Sequence, residues 1–206
     1  MAPVAGVLVI VLAAAGCATT DARPPARSRA DLINTLVSPA YSQWLVGPIV
    51  VMATPDEVAA YLELASDEAA AAFIEDFWER RKPYPLREDN PLRALFEARA
   101  AEADRLYAEG GYLGRRTARG IVHVLFGEPA ATDFEVSPHP DDPAIIRWEY
   151  PADAPPGLHG RRPDRVYRFV KRGELTELYV PRGSSARSRP DLERPRPVQP
   201  PGGLPP

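Results

Sequence analysis

"GRRTARGIVHVLFGEP", residues 114–129, sets three arginines and two glycines directly ahead of a six-residue apolar run. Whether this stretch is a binding site or a turn decides how the rest of the chain is laid out. Read as a turn, it is a structural connector. Gly114 and Gly120 permit backbone angles or close approaches that a side chain would block, Thr117 bonds a nearby backbone group, and Arg115 and Arg116 point into water. The run "IVHVLF" that follows is short and apolar on both faces, which predicts a central strand. Ile121, His123 and Leu125 would face one side, Val122, Val124 and Phe126 the other, and Gly127 and Pro129 would close it.

Downstream the period of two continues. "AIIRWEY", residues 144–150, alternates Ile146, Trp148 and Tyr150 against Ile145, Arg147 and Glu149, the pattern of a half-buried strand. "RVYRFVKRGELTELYV", residues 165–180, reads as a hairpin with strands over Val166–Val170 and Leu175–Val180 and a turn at Arg172-Gly173. Upstream the period is helical. Thr54, Pro55 and Glu57 form the capping-box arrangement of a helix start. A second helix opens at Ser66, with Asp67 and Glu68 where the helix dipole favours acids, and stops before Pro83. A third opens at Asn90-Pro91 with Leu92, Leu95, Phe96, Ala103, Leu106 and Tyr107 on one side, a charged and wet opposite side, and Gly110-Gly111 at its end. Helices first and antiparallel strands later define an α+β fold, N-terminal helices packed on a small antiparallel sheet, over residues 32–180.

The 206-residue chain, 45% hydrophobic, is long enough for one domain with a real core and room for tails. A net charge of -3 supplies no field for polyanions, so nucleic acid is not an expected partner. The 25 prolines concentrate outside the helices and strands. Residues 181–206, rich in Pro, Arg and Ser, read as a disordered tail, and residues 17–31, with the Pro24-Pro25 pair and almost no apolar bulk, as a solvated tether.

Residues 1–16 form a targeting segment. Its apolar run, Val4 to Ala15, fits a signal-peptide core and falls short of the ~20 residues that span a bilayer. The run ends in Ala14, Ala15 and Gly16, followed by Cys17, the sole cysteine. This resembles the bacterial lipoprotein signal, which implies lipidation of Cys17 and attachment to the membrane of the cell envelope. It departs from that signal in having Ala14 where leucine is usual and no Lys or Arg near the start. An ordinary secreted protein with a stray cysteine is the alternative. Either way a lone thiol forms no internal disulfide.

Four ordered blocks, "AFIEDFWERRKPYP", "NPLRALFEARAAEADRLYAEGG", "GRRTARGIVHVLFGEP" and "IIRWEY", resemble the GWxTD domain of bacterial secreted proteins across residues 47–180. Phe77, Trp78, Arg80, Arg81, Pro83 and Pro85 match its first element, with Lys82 where aspartate is usual. Gly114, Thr117, Arg119 and Gly120 match its turn, with Arg115 in place of the signature tryptophan and Ala118 in place of the aspartate. The resemblance implies a fold and an envelope setting but no activity. If the family's aspartate were a catalytic base, Ala118 would leave this chain without it.

Arg80, Arg81 and Arg119 are the candidate anion or partner contacts, since a guanidinium binds carboxylate or phosphate through a bidentate fork. For Arg119 the competing role is to tie down a carbonyl or an acid of the preceding helix. His123, His139 and His159 have no partner at metal-ligand spacing, so no metal site is expected. Asp141 and Asp142 beside His139 read as a solvated turn. No G-x-S-x-G elbow supports a nucleophile. No catalytic residue and no cofactor are assigned. The aromatic set Phe73, Phe77, Trp78, Phe96, Phe126, Trp148 and Phe169 reads as core, and Trp44 as packed over the sheet or exposed for a partner. The expected function is a lipid-anchored, non-enzymatic interaction or accessory module that contacts an envelope protein or the cell wall. The alternative is a sensor of small anions, or an enzyme, that uses the arginines.

Overall fold

A computed structural model of the chain describes residues 28–138 and 143–179. Cys17, His139, Asp141, Asp142 and the tail from residue 181 lie outside the described residues. Among the described residues six α-helices precede a four-stranded sheet, the expected α+β order. Two short helices come first, α1 (Pro39–Ser42) and α2 (Pro48–Met52), each with proline in its first turn. In α3 (Pro55–Leu62) the capping box is complete: Thr54 Oγ1 accepts from Glu57 N, and Glu57 Oε2 accepts from Thr54 N at 2.8 Å. Ser66 caps α4 (Asp67–Glu79) through Ala69 N, and Asn90 caps α5 (Pro91–Tyr107) through Arg93 N. Phe96, Ala100 and Ala103 form the buried stripe of α5. Leu95 and Leu106, expected on that side, are each 44% exposed, because the two share a direction on the helix that lies roughly a quarter turn round from the Phe96, Ala100 and Ala103 stripe.

Residues 121–126 depart from the expected strand. "IVHVLF" is not a central strand but the body of helix α6 (Ala118–Phe126). A short run that is apolar all round has no period that separates the two forms, and its β-branched residues favour the wrong one. The ends decide. Thr117 is a helix N-cap, its Oγ1 accepting from Gly120 N, and Gly127, at φ 85°, takes the glycine conformation that stops the helix. The run is apolar on every side because α6 lies between two cores. Val124 and Leu125 join the helical core of Leu45, Tyr61, Phe77, Trp78 and Phe96. Val122 joins Trp148, Tyr150 and Phe169 under the sheet.

The sheet is an antiparallel meander, β1 (Ala131–Glu135), β2 (Ile145–Glu149), β3 (Val166–Arg172) and β4 (Leu175–Leu178), in that order. β2 and the β3–β4 hairpin fall where the alternation put them, with Gly173 at φ 60° in the turn. β1 was not legible, because "ATDFE" has neither clean alternation nor a β-branched run. It pairs only with β2, and all its residues but Glu135 are exposed. On the face turned from the helices Arg147 engages Glu135 and Glu149, and Arg168 engages Glu135 at 2.8 Å.

Trp44 packs neither over the sheet nor into solvent. Its ring lies 4.8 Å from that of Tyr61 and 5.0 Å from that of Phe77, which seats it among the helices. The end of the expected tether also engages the domain: Arg29 Nη2 donates to the Arg116 carbonyl at 2.9 Å, and its guanidinium stands 4.1 Å from the centre of the Tyr112 ring.

Candidate functional site

The candidate arginines divide into separate places. Arg80 and Arg81 end α4 and converge on one carboxylate, that of Glu57 on α3. Arg81 reaches it with two nitrogens, at 2.9 and 2.6 Å, and Arg80 with one at 3.1 Å. Arg81 also donates to the Met52 and Phe77 carbonyls and lies 3.6 Å from the centre of the Phe77 ring. Arg80 further pairs with Asp76. Burial pushes the Glu57 carboxyl upward, but the Arg81 guanidinium, the Thr54 N–H and Arg80 outweigh it and hold the group at about 2. Glu57 thus occupies the place an external anion would need.

Arg119 stands elsewhere, on α6. Its Nη2 meets Glu109 Oε2 at 3.2 Å, and the guanidinium lies 5.3 Å from the centre of the Tyr107 ring. Glu109 also accepts from Thr176 N and Thr176 Oγ1, at 2.9 and 2.8 Å. One carboxylate just past α5 therefore joins α6 to β4. This is the second of the two roles open to Arg119, with the acid two residues beyond the helix end. His123 is buried, its Nε2 2.9 Å from Glu102 Oε2 and its ring against Tyr107. His159 is half-buried against Phe126, and burial, then Arg161, lowers its pKa. Among the described residues no group of three or more His, Cys, Asp or Glu is placed to hold a metal ion.

The third place is the turn itself, a 3-10 turn over Gly114–Arg116. A Cβ on Gly114 would stand 1.8 Å from the Ala103 carbonyl oxygen, and a Cβ on Gly120 would stand 1.8 Å from the Gly114 carbonyl oxygen. Neither glycine has a positive φ. Both are therefore needed for close approach alone, stacking α5, the turn and α6 backbone on backbone. Thr117, 2% exposed, locks the stack by donating to the Gly114 carbonyl at 2.8 Å while it caps α6.

Arg115 and Arg116 do not point into water. Asp104 of α5 accepts from Arg115 N and Arg115 Nε, both at 2.8 Å. Arg116 bonds the Gln43 side chain across the chain. The reason is the glycine stack, which presses the turn onto Ala103 and so brings Asp104 and the α1–α2 segment within reach. The carboxylates that engage the arginines, Glu57, Asp104 and Glu109, were missed as partners, because a sequence pattern shows a cap or a wet helix face but not what crosses to it.

Comparison with protein-family models, with curated proteins and with solved structures finds no match.

Proposed function

We propose that this is a lipid-anchored protein of the bacterial cell envelope, similar to GWxTD-domain proteins, whose α+β domain serves as a non-enzymatic interaction or accessory module. The anchor rests on Cys17 directly after the small residues that end the apolar run. The module rests on one observation: Arg80, Arg81 and Arg119, the residues an anion enzyme or sensor would use, each end on a carboxylate of the chain itself. Gly114, Thr117 and Gly120, the residues that match the family turn, hold backbone to backbone, which supports a scaffold role for that motif. Among the described residues no helix is long and apolar enough to cross a membrane, so attachment in this reading falls to Cys17. The test is the intact mass and N-terminal sequence of the protein isolated from membranes of its own cells. The proposal expects a chain that begins at Cys17 and carries acyl groups; a chain with Cys17 internal or unmodified overturns it.

A further inference from the structure

Between the α1–α2 segment and the GRR turn lies a cavity of about 190 Å³. Trp44, Ile49 and Phe96 are among its apolar walls, and Gln43, Arg115 and Arg116 supply its polar rim. The two guanidiniums differ. Arg115 is matched by Asp104 at 2.7 Å, whereas Arg116 has no carboxylate within ion-pair distance among the described residues and takes only the neutral amide of Gln43. Arg29 and Arg115 add like charge beside it, and Asp104, the carboxylate that acts against them, is bonded to Arg115. Burial first, then Arg115, lowers the Arg116 pKa against the opposing pull of Asp104: a half-buried cation with no carboxylate bonded to it among the described residues.

We propose that this cavity binds a small amphipathic anion, a ring-sized apolar body carrying one carboxylate or phosphate, with the head on Arg116 and the body against Trp44, Ile49 and Phe96. Size fits the body, since an apolar cavity of roughly 150 Å³ takes benzene. Charge fits the head, since an anion supplies the partner that Arg116 lacks and a planar guanidinium receives carboxylate or phosphate through two parallel bonds. The inference does not depend on lipidation and holds for the domain whether or not Cys17 is acylated.

The experiment titrates the full-length chain carrying Cys17→Ser, so that no acyl group competes, with phenylpropionate and with phenyl phosphate, followed by backbone amide shifts in NMR. Phenylpropanol and inorganic phosphate are the matched probes that lack the charge or the ring. At least one aryl anion should give saturable shifts confined to the segments around residues 43–49 and 115–116, and the alcohol and the bare phosphate should bind at least about tenfold more weakly. Arg116→Gln, checked for an unchanged melt, should raise the Kd at least about tenfold, and Arg116→Lys less. No saturable shift with either aryl anion up to about 10 mM, equal binding of the alcohol, or equal binding of inorganic phosphate each overturns the proposal. The last two comparisons use the parent chain and do not depend on the folding of a variant.

Discussion

Gly120→Ala adds one methyl group where α6 begins, and its cost follows from the stack. The new Cβ would sit 1.8 Å from the Gly114 carbonyl oxygen, and real Cβ contacts essentially never fall under 3.0 Å, so two backbones must separate. Opening such a contact in a packed interior costs about 1–3 kcal/mol. The same movement stretches the two bonds of Thr117, to Gly114 O and from Gly120 N, each worth roughly 0.5–1.5 kcal/mol. Against this, alanine gains up to about 1 kcal/mol over glycine in a helix. The balance is a loss of about 3 kcal/mol, a fall in Tm of roughly 6–12 °C for a domain of this size. Urea and thermal denaturation followed by circular dichroism measure it. Gly173→Ala is the control: at φ 60° with nothing within 4 Å of its Cβ, it carries only the backbone penalty of about 1 kcal/mol. If Gly120→Ala melts within about 1 kcal/mol of the parent chain, or no lower than Gly173→Ala, the close-approach reasoning is refuted.

Three further outcomes are expected. Asp104→Ala, which strips the partner from both the Arg115 amide and its guanidinium, should cost about 2 kcal/mol, and Arg115→Ala about 1 kcal/mol, in the same urea titration; no effect of either would return Arg115 to solvent. The Glu57 carboxyl is depressed from 4.5 to about 2, so its stabilisation is present above 4.5 and is lost as pH falls through that window. The loss is at most about 3 kcal/mol, and Glu57→Gln should flatten that part of the acid stability curve, whereas parallel curves would deny the coupling. Deleting Pro181 to Pro206 should leave the melting temperature unchanged, since that composition supplies no core; a large fall would show that the tail packs on the domain.

The caps of α3, α4 and α5 were legible because a cap is a local bond between residues three apart, and Thr54, Ser66 and Asn90 make the bonds their sequence positions imply. β2 and the hairpin were legible because charged and apolar residues alternate along them, although Ile145 and Val170 on the charged face are themselves buried. α6 was not, since burial on all sides erases its period, although Thr117 and Gly127 marked its ends. β1 was not, since an exposed edge strand imposes no pattern on its residues. At the site, the connector role of Gly114, Thr117 and Gly120 was readable, but its cause is contact rather than backbone angle. The sorting of the arginines depended on Glu57, Asp104, Glu109 and Gln43, which come from distant parts of the chain and carry no local signal of what they meet.

The most direct test of the functional account is fractionation of cells that express the native chain or Cys17→Ser, with membranes washed in high salt. Acyl chains contribute about 0.8 kcal/mol per buried CH₂, and among the described residues no helix is long and apolar enough to cross a membrane. The native protein should therefore stay in the washed membranes and the Cys17→Ser protein should leave them. A Cys17→Ser protein that still pellets after the wash would contradict the account.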